Sequence, residues 1–280
     1  MKVLVTGAGG QLGKEFVAYF AGKGHTLYSF TRNELDITDA ISVFSTIKNL
    51  NPDLVLHCAA YTKVDAAEEN WKEAYAVNAL GTRNIAVASE AIGAKLVYFS
   101  TDYVFDGMQT FDYHEFNQTN PLNVYGASKL AGEEAVKNFH SRYFIIRTSW
   151  LYGKYGPNFV RTMQTLAQTK KELSIVCDQI GCPTYTKDLV CKTGEIIQTN
   201  QYGTYHVSNQ GECSWFEFAA RIFQEMGADV NVIPVKTEEY GAKAERPRYS
   251  VLQHLCLELN GFAPMRQWEE ALGEYLIESS

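Results

Sequence analysis

Val3-Leu4-Val5-Thr6-Gly7-Ala8-Gly9-Gly10-Gln11-Leu12-Gly13 runs a strand, a glycine turn and a helix start together without a break. Gly7, Gly10 and Gly13 stand at the spacing G-x-x-G-x-x-G. Glycines at these positions let the chain turn tightly and bring backbone N–H groups up to a pyrophosphate, while the start of the following helix adds the positive end of its dipole. The stretch therefore predicts a strand-turn-helix unit that binds a dinucleotide.

Outward from this loop the first half alternates apolar runs with helical patterns. The runs at 2–6, 26–30, 53–58, 95–101 and 143–148 read as strands, nearly continuous in apolar residues as in a parallel sheet covered on both faces. Helical stretches at 11–22, 40–50, 69–92 and 124–139 lie between them. This alternation predicts an α/β fold, a Rossmann-like doubly wound parallel sheet. After residue 150 the rhythm loosens: helices at 157–169, 187–199 and 215–226 and from 268, and strands at 173–177, 204–207 and 230–235. Residues 1–150 are read as the dinucleotide-binding domain and 151–280 mainly as a smaller C-terminal substrate-binding lobe, with a soft boundary because no linker separates them.

The second strand ends Phe30-Thr31-Arg32, where an NAD-selective site would offer a carboxylate to the ribose 2′-hydroxyl. Arg32 can instead pair with a 2′-phosphate, so the coenzyme is read as NADPH, with NADH as an alternative because Glu34 stands close by. Asp36 and Ile37 on the next loop are placed to flank an adenine.

Tyr125-Gly126-Ala127-Ser128-Lys129 puts a phenol and an ammonium four residues apart, on one face of a helix. A fixed cation favours the phenolate, lowering a pKa that is otherwise near 10 and making Tyr125 a proton donor to a ketone oxygen. The spacing alone decides nothing, because Tyr19 and Lys23 share it. Tyr125 differs in following a strand whose end, Tyr98-Phe99-Ser100-Thr101-Asp102, delivers hydroxyls to the carboxyl edge where open sheets bind ligands. Thr101, Tyr125 and Lys129 form the expected catalytic set.

A net charge of −7 over 280 residues argues against nucleic acid or an anionic membrane as partner. Strand sequence follows directly on Met1 and Lys2 and no apolar run reaches membrane-spanning length, so a cytoplasmic location is expected. The six cysteines (Cys58, Cys177, Cys182, Cys191, Cys213 and Cys256) show no ligand spacing and read as buried free thiols rather than a metal site.

These residues resemble the extended short-chain dehydrogenases, and closely the dTDP-4-dehydrorhamnose reductases, along essentially the whole chain. A glycine at position 12, which the other dinucleotide spacing requires, is absent. Further carriers are Leu35-Asp36-Ile37, Ala59-Ala60-Tyr61-Thr62-Lys63-Val64-Asp65, Thr101-Asp102-Tyr103, Arg147-Thr148-Ser149-Trp150 and Asp178-Gln179-Ile180-Gly181-Cys182-Pro183-Thr184. The resemblance implies reduction of the 4-keto group of dTDP-4-dehydro-L-rhamnose for polysaccharide synthesis. It implies coenzyme contacts at Gln11, Leu12, Asp36, Ile37, Ala60, Tyr61, Thr62, Phe99 and Lys129, and sugar-nucleotide contacts at Thr101, Asp102, Tyr125 and Trp150. Tyr103 stands where related dehydratases carry a glutamate, which favours simple reduction. Arg246 is the expected cation for the substrate diphosphate. Some relatives dimerise around magnesium held by glutamates; Glu15 matches one position but Lys187 occupies another, so no metal is expected and the protein is read as a monomer or a homodimer. A reductase or epimerase for another nucleotide sugar, or a non-catalytic NADP-binding regulatory subunit, remain the alternatives.

Overall fold

The computed structural model describes residues 1–279. Six strands form one wholly parallel sheet: β1 (Lys2–Thr6), β2 (Thr26–Phe30), β3 (Leu54–His57), β4 (Lys95–Thr101), β5 (Tyr143–Thr148) and, numbered by its place in the chain, β10 (Gly203–His206). Their order is β10-β5-β4-β3-β1-β2. Alternate residues face opposite layers, because successive side chains of a strand point to opposite sides. Val3, Val5, Leu56, Val97, Phe99 and Ile146 enter one core with Phe16 of helix α1 (Gln11–Phe20) and Leu189 of α8 (Thr186–Ile196). Leu4, Val55, Leu96, Tyr98 and Ile145 enter the other, under α2 (Ala40–Leu50), α5 (Thr82–Ala91) and α6 (Val124–Phe139). The order in which strands are added reverses between β1 and β3, so the connections leaving their carboxyl ends run to opposite faces of the sheet, the place where such sheets bind ligands.

Helix boundaries follow local chemistry. Asp39 caps α2 by accepting from the N–H groups of Ile41 and Ser42, and Asn51 ends it in the left-handed conformation at φ 47°. Asn123 caps α6 by accepting from Gly126 N–H. The single helix expected over 69–92 is broken into α3 (Val64–Glu69), α4 (Trp71–Tyr75), a π-helical turn at Ala76–Gly81 and α5. Asn70 has left helical geometry at φ −105° and ψ 41°, which apolar periodicity does not register.

The second half builds short parallel pairs, β6 (Leu151–Tyr152) with β9 (Thr184–Tyr185) and β7 (Glu172–Val176) with β12 (Asn231–Val235), beside the antiparallel pair β8 (Ile180–Gly181) and β11 (Cys213–Ser214). These pack with α7 (Phe159–Ala167), α9 (Trp215–Met226) and the last helix (Trp268–Ser279) around Tyr152, Tyr185, Phe218, Trp268 and Tyr275. The strand expected at 204–207 does not stay in this lobe: as β10 it returns to the large sheet and pairs with β5. Of the cysteines only Cys182 and Cys213 are buried, and Cys191 is exposed on α8, which corrects the reading of all six as buried.

Candidate active site

The glycine turn is set by close approach. Gly7 has φ +65°, and a Cβ there would stand 2.6 Å from the Ala59 nitrogen, so the turn after β1 lies directly on the chain leaving β3. A Cβ on Gly13 would stand 2.3 Å from the Gly7 carbonyl oxygen. Gly10 donates its N–H to that oxygen at 2.9 Å and begins α1 without a capping side chain, so the helix's first N–H groups are available to an anion.

A cavity of about 320 Å³ opens beside the turn. Gly7 and Gly10, then Arg32, Asp36 and Ile37, then Ala60 and Tyr61 line it, so those seven predicted residues meet in one place. Thr31, Leu35 and Val77 also line it and were not among the predicted coenzyme contacts. Others of the predicted coenzyme set stand apart from the lining. Leu12 is buried in the core, Thr62 is exposed, and Gln11 accepts from Asn158 Nδ2 of the second half at 3.1 Å. The Phe99 ring packs on Phe16, leaving its carbonyl as its polar contribution. Asn78, in the π-helical turn, grips the Tyr61 backbone at 2.8 and 3.0 Å and donates to Ser128 Oγ of α6 at 2.9 Å.

The acidic groups near the cavity are turned inward on their own loops. Glu34 accepts from Thr31 N–H and hydroxyl at 2.8 and 2.7 Å, and Asp36 accepts from Thr38 N–H and hydroxyl at 2.9 and 2.8 Å. Those bonds hold both carboxyls below their ordinary values. Arg32 is 73% exposed, 3.3 Å from Glu73. With Glu34 tethered within its own loop, the exposed Arg32 guanidinium is the cation at the cavity edge.

Thr101, Tyr125 and Lys129 come together where β4 ends against α6. Lys129, 2% exposed, donates to the Phe99 carbonyl at 2.6 Å and lies 4.2 Å from the Tyr98 ring centre. Burial pulls the ammonium down to about 7, against the opposing pull of Glu133 and Cys58. Tyr125 does not show the expected lowering. Burial pushes its phenol up to about 12, the Thr101 hydroxyl draws it partly back, and the Asp102 charge adds to the rise. Burial is the leading cause, and the Lys129 ammonium, which donates to the Phe99 carbonyl, is not among the groups that act on the phenol. Tyr19 and Lys23, the pair with the same spacing, form a cation-π contact at 3.3 Å at the far end of α1.

Behind Lys129 lies a buried ion pair. Glu133 takes two hydrogen bonds from Arg147 of β5, at 2.9 and 2.7 Å, and one from Ser100 Oγ at 2.6 Å. These contacts hold the Glu133 carboxyl below its ordinary value against the effect of burial.

The opposite wall joins distant segments. Trp150 has φ 47°, a strained value for a large side chain, and stacks on Trp215 of α9 with ring centres 3.5 Å apart and planes 8° apart. A Cβ on Gly181 would lie 2.7 Å from the Trp150 ring. Asp102, 2% exposed, accepts from Thr101 Oγ1 at 2.9 Å and from Ser250 Oγ at 2.7 Å. Arg246, expected to serve a diphosphate, is already engaged: its guanidinium forks onto Asp65 at 2.8 and 3.1 Å and donates to the Ala244 carbonyl at 3.0 Å. Trp215, Ser250 and Asn78 were missed in the sequence because no local spacing connects them to the site. Glu15 accepts from Thr186 Oγ1 at 3.1 Å, while Lys187 pairs with Glu274 at 2.7 Å and with Glu278.

Sheet order, glycine turn and crevice define the chain as a Rossmann-like dinucleotide-binding protein. The family described as RmlD substrate binding domain matches residues 1–280, and the chain belongs to that family, the dTDP-4-dehydrorhamnose reductases. It is 47% identical to the spore coat polysaccharide biosynthesis protein SpsK of Bacillus subtilis, covering 100% of this chain and 98% of that protein. It is 40% identical to a dTDP-4-dehydrorhamnose reductase of Mycolicibacterium smegmatis, covering 97% and 84% of the two chains. The crystal structure of the Bacillus anthracis dTDP-4-dehydrorhamnose reductase in complex with NADP superposes with a TM-score of 0.98 at 53% identity, over 99% of each chain. Among the described residues no helix is long and apolar enough to cross a membrane.

Proposed function

We propose that the protein uses NADPH to reduce the 4-keto group of dTDP-4-dehydro-L-rhamnose to dTDP-L-rhamnose, feeding polysaccharide synthesis in the cytoplasm. The observation that carries the reading is the meeting of Thr101, Tyr125 and Lys129 where β4 ends against α6, on the same carboxyl edge of the sheet as the cavity at Gly7 and Gly10. The residues fit the coenzyme: the glycines leave space that a Cβ would fill, and the uncapped start of α1 offers N–H groups to its phosphates. Bound there, NADPH supplies hydride. Arg32 would meet its 2′-phosphate, Asp36 and Ile37 would flank its adenine, and Lys129 would hold its nicotinamide ribose. Tyr125 stays protonated through neutral pH because burial raises its phenol, so it is a donor ready for a ketone oxygen. Trp150 offers an apolar wall to the deoxysugar.

NADPH oxidation by purified protein with a panel of 4-keto sugar nucleotides tests the reading. Turnover of the dTDP-linked substrate is expected, with kcat lowered by about 10²-fold or more in Tyr125→Phe and coenzyme affinity retained. Coenzyme binding without turnover of any keto sugar nucleotide would favour a regulatory subunit instead.

A further inference from the structure

Reduction of a ketone takes up one proton at oxygen, and the phenol that gives it must be refilled before the next turnover. The buried Asp102 carboxyl is bonded to the Thr101 hydroxyl, and that hydroxyl also bonds the Tyr125 phenol. We propose that Asp102 is the proton store for Tyr125, joined to it through the Thr101 hydroxyl and held by Ser250; this rests on the reductase reading above.

Thr101 Oγ1 accepts from Tyr103 N–H at 3.2 Å and donates its single proton to Asp102 at 2.9 Å. Ser250 donates to the other Asp102 oxygen at 2.7 Å, across 148 positions of sequence. Ser250 is itself fixed, because its N–H donates to the Ile180 carbonyl at 2.8 Å. A hydroxyl has one proton to give, so while Asp102 is ionised Thr101 has none for Tyr125 or for a substrate oxygen. A proton on Asp102 reverses this: Asp102 donates to Thr101, and the Thr101 O–H is free to turn to Tyr125.

Once Tyr125 has protonated the substrate oxygen, its phenolate oxygen takes the Thr101 proton as Thr101 takes that of Asp102. Two O–H bonds break and two form, and the net change is one proton moved from Asp102 to Tyr125. Asp102 is left ionised, with Thr101 donating to it as in the structure, and a proton from solvent reloads the carboxylate before the next turnover. Burial raises the Asp102 carboxyl to about 6, which makes it a donor near neutral pH. The titratable groups that face it are Tyr103 beside it and Tyr125 from α6; Arg246 acts on Tyr103, and its charge is matched by Asp65.

The test compares wild type, D102N and S250A in two ways: infrared titration of the protonated-carboxyl band without coenzyme, and kcat at saturating coenzyme and keto sugar nucleotide from about pH 5.5 to about pH 8. In the wild type, kcat should fall as pH rises through the Asp102 titration. D102N, which can neither gain nor lose that proton, should lack this limb and the matching infrared band, and should be at least about tenfold slower at the acid end. S250A removes a bond that favours the charged carboxylate, so the infrared midpoint and the kcat limb should both move up by about one pH unit. A D102N profile with the wild-type limb overturns the proposal, as does an S250A limb that stays put while the infrared midpoint moves. Should D102N fail to fold, S250A decides alone. Absence of turnover by wild type overturns the reductase reading and this proposal with it; turnover with an unchanged D102N profile overturns this proposal alone.

Discussion

The glycine-turn side of the cleft is built from backbone, whereas the facing side is built from side chains that reach across the chain. On the first, Gly7 touches Ala59 and Gly13 touches Gly7 through main-chain atoms with no space for a Cβ. On the second, Asp65 holds Arg246, Asp102 holds Ser250, and Trp150 stacks on Trp215. A backbone-built site suits a ligand part that is always the same, such as a pyrophosphate, and tolerates almost no added atom. A site of paired side chains can change the group it recognises by exchanging partners, while the sheet beneath stays fixed.

Glu133 of α6 and Arg147 of β5 pair behind Lys129, and the largest expected effect tests that support. Glu133→Gln leaves Arg147 buried without its carboxylate and should cost about 3–5 kcal/mol in urea unfolding at neutral pH. The Glu133 carboxyl is held below its ordinary value, so its stabilisation is complete above that ordinary value and lost as pH falls through the lowered one. The gap between wild type and Glu133→Gln should therefore narrow in acid. Gly13→Ala should come next, costing about 1–3 kcal/mol because backbone must move, together with a loss of NADPH affinity readable by calorimetry. Gly181→Ala should push the Trp150 ring aside and raise KM for the sugar nucleotide about tenfold, roughly 1.4 kcal/mol, with Kd for NADPH unchanged. Should Gly181→Ala weaken coenzyme binding as much as Gly13→Ala does, the division between the two sides breaks. The smallest effect belongs to Arg32→Ala, a few-fold fall in the kcat/KM ratio of NADPH over NADH, modest because the guanidinium is largely exposed. An undiminished NADPH preference would remove Arg32 from coenzyme selection.

The same difference explains what was legible in the sequence. The glycine turn occupies consecutive residues, and the doubly wound sheet announces itself in apolar runs, so β1 to β5 and the pairing of Tyr125 with Lys129 on one helical face could be read directly. The return of Gly203–His206 to the large sheet could not, because periodicity states that a strand exists and not which edge it joins. Nor could the orientation of Lys129 towards Phe99, since spacing places two side chains on one face without deciding what each of them binds. Ser250 and Trp215 carry no motif of their own. They matter only because folding brings them to Asp102 and Trp150, and the π-helical turn that carries Asn78 was hidden inside an apparently continuous helix.

The stacked indoles of Trp150 and Trp215 have an optical consequence. Two such chromophores face to face at 3.5 Å are close enough to couple their electronic excitations, so tryptophan fluorescence and circular dichroism depend on how the rings stand to one another. One partner follows β5 and the other begins α9, so the pair spans both halves of the molecule. A ligand that moves either ring would change both signals, giving the protein a built-in spectroscopic gauge of its paired indoles.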